Sequence, residues 1–525
     1  MTPAALPLPA GFRPYAWAPG SAEVAARHGL RPEQILRFDQ NTPPLPGVPR
    51  VPLAPSFARL NEYPDGTYRD LREAAGSYCG VEAAQVVVGA GADELIALCA
   101  RTYLGPGRRA AISEPTYGLY RIVTEQEGAE VVSSPDGADL IWVCNPNNPT
   151  GELREPVELA ALARTRPDAI VVVDEAYFEF ADATCVPLIA GQPNLIVLRT
   201  LSKAFGLASL RVGYAVAGPA VAAELELRRA PASVSGPAAR IAAAALCEPR
   251  LDVTETLVER VRVREALLSA GHDCRESAGN FVFVRTDEPL GERLERRGLV
   301  VRVFAQGIRI TLRRRRENDV LLAALGAAVT TAPPGREAYV ARTSSETALR
   351  VSLDLDGAGR ARVETGIGFF DHLLTLWAFH GGFDLELLAG GDLDVDEHHT
   401  VEDVLAALGD AVSQALGSRE GFARYGSAIV PMDEARATAA VDLVRRPHAE
   451  VELRFGSARV GGLPVTLLAH ALERFAIQAG CTIHLTAAGG DDHHVAEAAF
   501  KALGQALRKA SSPADEGIRS TKGLA

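Results

Sequence analysis

His398-His399-Thr400-Val401-Glu402 and His493-His494-Val495-Ala496-Glu497 are two copies of one pattern, an adjacent histidine pair with a glutamate after it. Ala-Leu-Gly follows each copy at the same offset, as Ala407-Leu408-Gly409 and Ala502-Leu503-Gly504. The last third of the chain therefore aligns with itself. It predicts two similar α+β halves, near 338–426 and 427–512, with a short tail behind them. On a helix, positions i and i+4 share a face, so His398 pairs with Glu402 and His493 with Glu497. The second imidazole of each doublet, His399 or His494, points elsewhere and can serve another ion. Each half also carries a lone upstream histidine, His372 after Phe370-Asp371 and His470 after Leu468-Ala469. These imidazoles and carboxylates are enough for two metal sites, and such donors suit a borderline divalent ion such as Mn, Fe, Co or Zn. A lone helical histidine is more often a satisfied polar residue. Two copies at matched offsets reverse that expectation. His380, His448 and His484 lack a duplicated counterpart and are left out. Asp396 and Asp403 are candidates to hold imidazole N–H groups from behind.

Upstream of this duplication the text changes at Val329-Thr-Thr-Ala-Pro-Pro-Gly-Arg336, whose Pro and Gly argue for a linker. We place it at 331–337, between a first part, 1–330, and a second, 338–525. In the first part, apolar β-branched runs alternate with amphipathic segments: Gln85–Gly89, Leu140–Cys144, Ala169–Asp174 and Leu195–Arg199. Short apolar strands between helices mark an α/β domain with a buried, mostly parallel sheet. In the second part, strand-like Leu349–Asp354 and Ala439–Leu443 precede the histidine-bearing helices. No apolar run approaches the roughly 20 residues of a membrane span. Met1–Pro19 lacks a basic-then-apolar export pattern, so a cytoplasmic protein is expected. The seven cysteines contain no CxxC and read as reduced thiols. The net charge of −12 disfavours nucleic acid as a partner. The Arg313–Arg316 run is then a solvated surface segment.

The first part carries a second constellation. Lys203 follows a strand amid small residues, in Arg199-Thr200-Leu201-Ser202-Lys203-Ala204-Phe205-Gly206. A lysine with a lowered pKa can form a Schiff base with an aldehyde and move protons. Thr200, Ser202 and Arg211 are suited to hold a phosphate. Asp174 ends a buried strand and can pair with a protonated pyridine nitrogen, although a helix cap is the plainer role for such a residue. Tyr177 and Asn148 can donate to a phenolic oxygen, and Tyr117 can stack on a ring. Asn148 also fits ordinary turn chemistry. Gly91-Ala92-Asp93 opens a helix whose N–H groups can cradle a phosphate. Together these are the groups of a pyridoxal-phosphate site.

The ordered set Gly91-Ala92-Asp93-Glu94, Pro115-Thr116-Tyr117-Gly118, Asn147-Asn148-Pro149-Thr150-Gly151, Asp174-Glu175-Ala176-Tyr177 and Ser202-Lys203…Arg211 resembles the fold-type I aminotransferases, most of all the histidinol-phosphate aminotransferases. The resemblance covers about 10–328 and implies a mostly parallel sheet plus a small α/β domain. It also implies a homodimer in which Tyr63 reaches the partner's cofactor phosphate. Arg309, with Arg302 as a helper, would bind the substrate's anionic end. The segments Arg342-Thr343-Ser344-Ser345-Glu346, Phe370-Asp371-His372, Gly391-Asp392…His399, Pro431-Met432-Asp433-Glu434 and Ser520-Thr521-Lys522-Gly523 resemble imidazoleglycerol-phosphate dehydratases. That family implies two manganese ions and a large symmetric oligomer. Arg424, Arg446, Ser520 and Lys522 would grip the substrate phosphate, and Glu346 would approach the substrate. The two resemblances imply consecutive steps: dehydration of imidazole-glycerol phosphate, then transamination of the ketone with glutamate.

Departures keep rivals in view. Pro231-Ala232 stands where the aminotransferases carry Pro-Tyr, and Leu312 with four arginines follows Thr311. A threonine-phosphate decarboxylase-like or aromatic aminotransferase is the rival for the first part. A non-catalytic scaffold role for one half is the rival of a different class.

Overall fold

The computed structural model describes residues 8–9, 11–16, 18–43, 60–247, 249, 251, 253–327, 336–417, 419 and 421–514. The chain divides into two compact units, Met1–Thr330 and Thr331–Ala525. Most of the linker, with Ser520 and Lys522, lies outside the described residues. Arg336 and Glu337, assigned above to the linker, belong to the second unit: Glu337 opens a strand, and Arg336 pairs with Asp356.

In the first unit seven strands form one sheet, in the order Val86–Gly89, Gly213–Ala217, Leu195–Thr200, Ile170–Asp174, Leu140–Cys144, Arg109–Ile112, Glu130–Val132. All neighbours are parallel except Gly213–Ala217, which runs antiparallel to both of its partners. Continuous apolar runs suit this sheet because both faces are covered. Val171, Val173 and Val197 face one apolar cluster, and Val172, Ile196 and Leu198 face another. A second sheet of five strands joins Leu36–Phe38 to Leu299–Phe304, Gly307–Thr311, Phe281–Arg285 and Asp273–Cys274. The Arg313–Arg316 run is more than solvated surface. Arg315 starts the helix Arg315–Ala324, and Arg313 pairs with Glu317 at 2.8 Å.

The second unit contains β1 (Glu337–Thr343), β2 (Thr347–Asp354), β3 (Ala361–Glu364), α1 (Gly368–Gly381), β4 (Asp384–Gly391) and α2 (His398–Leu416). The pattern repeats as β5 (Tyr425–Met432), β6 (Ala435–Asp442), β7 (His448–Arg454), α3 (Val465–Ala479), β8 (Thr482–Ala488) and α4 (Asp492–Ala510). Both four-stranded sheets have the same topology, β1-β2-β4-β3 and β5-β6-β8-β7, with one parallel pair each. One apolar cluster runs through both halves, so they share a core.

The duplicated Ala-Leu-Gly explains how the four helices cross. α2 packs on α3, and α4 packs on α1. A Cβ on Gly409 would stand 2.5 Å from the Phe475 carbonyl oxygen on α3. A Cβ on Gly504 would stand 2.4 Å from the Trp377 carbonyl oxygen on α1. Each glycine lets a helix of one half approach the backbone of the other closely. Among the described residues, no helix is long and apolar enough to cross a membrane.

Candidate functional site

The crossed helices decide which histidines meet. His372 on α1 and His493 with Glu497 on α4 gather their ligand atoms within 4.8 Å of one another. His470 on α3 does the same with His398 and Glu402 on α2. The i, i+4 pairing is therefore as expected, but each lone upstream histidine joins the doublet of the opposite half. Neither half alone supplies all three donors of either cluster, whereas a third group of possible ligands, Asp433, Glu434 and His494, comes from the second half alone.

The two clusters differ in their support. Glu497 Oε1 lies 2.5 Å from His372 Nε2 and 3.3 Å from His493 Nε2, and its Oε2 accepts from Lys501 Nζ at 2.8 Å. Burial alone would raise the Glu497 pKa, but the bonds from His372 and Lys501 outweigh it and hold the group at about 2. Glu402 lies 3.4 Å from both His398 Nε2 and His470 Nε2, and Arg474 Nε sits 2.9 Å from its other oxygen. Its side chain is 27% exposed, against 9% for Glu497.

His399 and His494 turn away from both clusters. His399 Nδ1 lies 3.0 Å from Asp392, and His494 Nδ1 lies 3.1 Å from Glu434, with Asp433 near its Nε2. Each of these carboxylates raises the pKa of its imidazole. Asp396 and Asp403 do not hold imidazoles, contrary to expectation. Asp396 accepts from the His398 backbone N–H, and Asp403 from Thr347 Oγ1. Glu346 is half exposed, 3.9 Å from His399 Nε2. Arg424 is paired in a fork with Asp442, and Arg446 is exposed. Lys501, one turn beyond Glu497, was open to the same i, i+4 argument that found the glutamate.

In the first unit, the strand ends bring together residues distant in sequence. Lys203 is half-buried, and its Nζ donates to the Gln40 carbonyl at 3.3 Å, 5.7 Å from the Tyr177 ring centroid. Burial, followed by the nearby Arg309 guanidinium, pushes its pKa down to about 8. Asp174 is buried and accepts from Tyr120 Oη at 2.8 Å and from the Ala176 N–H at 3.1 Å. The second bond closes a local turn and not the helix cap considered above, since the next helical turn, Phe178–Phe180, is preceded by Tyr177 without a side-chain cap; the first adds a partner that no spacing in the sequence suggests. Burial raises the Asp174 pKa to about 6. Asn148 is not ordinary turn chemistry: its Oδ1 accepts from Arg309 Nη1 at 2.5 Å. Asn147 does the turn work instead, accepting from the Gly151 N–H.

Arg302 faces Arg309 across an antiparallel strand pair and donates to the Ala16 carbonyl. Tyr15, also missed, lies near both Tyr117 and Arg309. At the helix opening, Arg211 bonds Asp93 at 3.0 Å and Ser202 Oγ at 3.4 Å. Thr200 Oγ1 donates to Ser202 Oγ at 2.9 Å, and Tyr117 Oη to Asp93 at 3.0 Å. Gly91 has a φ of +79°, and a Cβ there would meet Arg211 Nη2 at 2.6 Å. Ala92 follows in the first turn. Tyr63 is 93% exposed.

Residues 33–325 match the family model for aminotransferase class I and II, and residues 365–507 that for imidazoleglycerol-phosphate dehydratase. The chain belongs to the class I and II aminotransferase family through its first unit and to the imidazoleglycerol-phosphate dehydratase family through its second. Over 192 residues it is 46% identical to the imidazoleglycerol-phosphate dehydratase of Geobacillus kaustophilus, 36% of this chain and 98% of that one. The Chloroflexus aggregans enzyme of the same name is 49% identical over 193 residues, 36% of this chain and 94% of that one. A solved structure of histidinol-phosphate aminotransferase from Sinorhizobium meliloti, in complex with pyridoxal-5'-phosphate, is 26% identical with a TM-score of 0.52. It covers 59% of this chain and 94% of that one. Two enzyme domains, an aminotransferase and a dehydratase, are fused in this chain.

Proposed function

We propose that the second unit dehydrates imidazole-glycerol phosphate to imidazole-acetol phosphate, and that the first transaminates this ketone with glutamate to histidinol phosphate. These are consecutive steps of histidine biosynthesis. The carrying observation is that one chain, in domains of these two families, holds both the crossed His/His/Glu clusters and the Lys203–Asp174–Tyr177–Arg309 cleft.

The residues fit pyridoxal phosphate. Among the described residues Asp174 is a buried carboxylate with no cationic hydrogen-bond partner, which a pyridinium nitrogen would supply. Gly91 keeps open a cradle that a Cβ would fill, beside Arg211, Ser202 and Thr200. Ala92 and Asp93 close it from the helix N-terminus. Tyr63 of a second copy would complete it in a homodimer. When bound, the coenzyme supplies the aldehyde that carries the amino group and a ring that accepts an electron pair. Lys203, with a pKa of about 8, takes and returns the proton at carbon. Arg309 and Arg302 hold the anionic end of the substrate, matching its oxygens with planar forks.

The donor set of the second unit fits two divalent ions, and we assign manganese. His372, His493 and Glu497 would hold one, and His398, His470 and Glu402 the other. His399 and His494 would serve the ions of neighbouring copies in a larger assembly. When bound, the ions would acidify the imidazole ring of the substrate and stabilise the negative charge that builds on it before the neighbouring hydroxyl leaves. Glu346 faces the substrate beside His399. Arg424, Arg446, Ser520 and Lys522 grip the phosphate.

The test is coupled turnover by the full chain. Imidazole-glycerol phosphate with glutamate and Mn should yield histidinol phosphate and 2-oxoglutarate. Turnover of phenylpyruvate without turnover of imidazole-acetol phosphate would overturn the assignment of the first unit. Intact metal loading without loss of water would overturn that of the second.

A further inference from the structure

A buried polar network lies beside Lys203 and Tyr177. Asn41, Asn280 and Thr311 are each 1% exposed, and Tyr177 is 3% exposed. The backbone N–H of Asn41 donates to Thr311 Oγ1 at 3.0 Å. The Thr311 hydroxyl in turn donates to Asn41 Oδ1 at 2.8 Å. A threonine hydroxyl has a single proton, and here the Asn41 amide oxygen receives it. The structure places the Asn41 amide oxygen on that hydroxyl and the amide nitrogen on the opposite side. That nitrogen faces Tyr177 and donates to Tyr177 Oη at 2.9 Å. Asn280 holds the same segment from the other side, donating to the Asn41 carbonyl at 3.1 Å.

An amide NH₂ group donates and does not accept. The Tyr177 oxygen can only accept from Asn41, so its own proton is turned away from the network. The next residue back, Gln40, gives its carbonyl to Lys203 Nζ, which places the cleft on that side. We propose that Asn41 is a positioning residue that makes Tyr177 an obligatory hydrogen-bond donor into the cleft, and that it thereby sets the protonation of bound pyridoxal phosphate. The proposal rests on the coenzyme reading given above. A donor held on the phenolic oxygen of the coenzyme favours its ionised form and lowers the pH at which it ionises.

The experiment is a pH titration of the visible absorbance of the full chain reconstituted with pyridoxal phosphate. Asn41→Ala should raise the midpoint by about one pH unit. Thr311→Val frees the Asn41 amide to turn and makes no contact with the coenzyme oxygen; it should raise the midpoint by less. In a chain that already carries Tyr177→Phe, adding Asn41→Ala should leave the midpoint where it was. An unmoved midpoint in Asn41→Ala, or the same shift with and without Tyr177→Phe, would overturn the proposal. Where Asn41→Ala fails to fold, judged by its melting transition with dehydration as the control, Thr311→Val decides the matter. A wild-type chain that develops no visible absorbance would defeat the coenzyme reading itself, which is a different result.

Discussion

The two units solve the same problem, holding charged groups ready, by opposite means. In the first, Lys203, Asp174 and Tyr177, at or just past strand ends, meet Arg309 from the middle of another strand, and withdrawal from water tunes them. Lys203 is pushed down to about 8 and Asp174 up to about 6. In the second, His372, His398, His470 and His493 stand on helix faces and stay largely exposed, and duplication sets their geometry. A site made by burial depends on its exact surroundings. A site made by helix crossing depends on the pairing of elements.

The largest expected effect separates the two units outright. Lys203→Ala should lower transamination by at least about ten-thousandfold, the upper range for a positioned proton-transfer group, because a covalent anchor is lost as well. Dehydration by the same preparation should be unchanged. Parallel assays on one sample check this, and a fall in both activities would show that the units are not independent.

The crossed pairing makes a sharper demand on the second unit. His372 and His493 come from different halves but share one cluster. His372→Ala and His493→Ala should each remove the same metal equivalent, and the double variant should lose no further one. His372→Ala combined with His470→Ala should empty both clusters. Dehydration should fall by more than about a hundredfold in each, beyond the range for groups that merely support a ligand. Elemental analysis of the purified variants decides it. If the His372 and His493 losses add, the pairing is wrong.

These cases show what was legible in the sequence. The i, i+4 rule is local, so His398 with Glu402 and His493 with Glu497 could be paired without a structure. The crossing that brings His470 to α2 and His372 to α4 is tertiary. Its sequence trace is Gly409 and Gly504, whose meaning appears only when Phe475 and Trp377 are seen against them. In the first unit, Asp174 and Lys203 stood out because each ends or follows a buried strand. Tyr120, Asn41 and Tyr15 did not, because no spacing rule connects them to those strands. Asp392 and Glu434 lay within quoted motifs but were passed over for Asp396 and Asp403, which are nearer the histidines in sequence and turned elsewhere.

A smaller effect tests tuning by burial. Asp174 has a folded-state pKa of about 6 against an ordinary 3.8. Between about pH 4 and 6 the folded chain therefore binds more protons than the unfolded one, and the stability of the coenzyme-free first unit falls as pH rises through that window. Above it the penalty is on the order of 3 kcal/mol. Asp174→Asn should remove the penalty, so that the coenzyme-free variant melts above the wild type at pH 7 and close to it at pH 4. Melting curves at the two pH values check this. Equal melting temperatures at pH 7 would mean that Tyr120 and the Ala176 N–H already satisfy the charge.

The smallest effect probes the exposed side of the comparison. Asp392 holds His399 by its ring nitrogen, whereas Asp396 accepts only the backbone N–H of His398. In metal-free protein, Asp392→Asn should lower the His399 titration midpoint, since the carboxylate is what raises it. Asp396→Ala should lower that midpoint by less, since its carboxylate acts on His399 only through space, and cost roughly 1 kcal/mol of stability, as loss of a helix-start acceptor does. Ring-proton titration by NMR separates the two variants. Because His399 is partly exposed, salt should shrink the Asp392 effect on its midpoint but leave the stability cost of Asp396→Ala in place. A His399 midpoint that responds more to Asp396 than to Asp392 would mean that the carboxylates at this helix start exchange partners in solution.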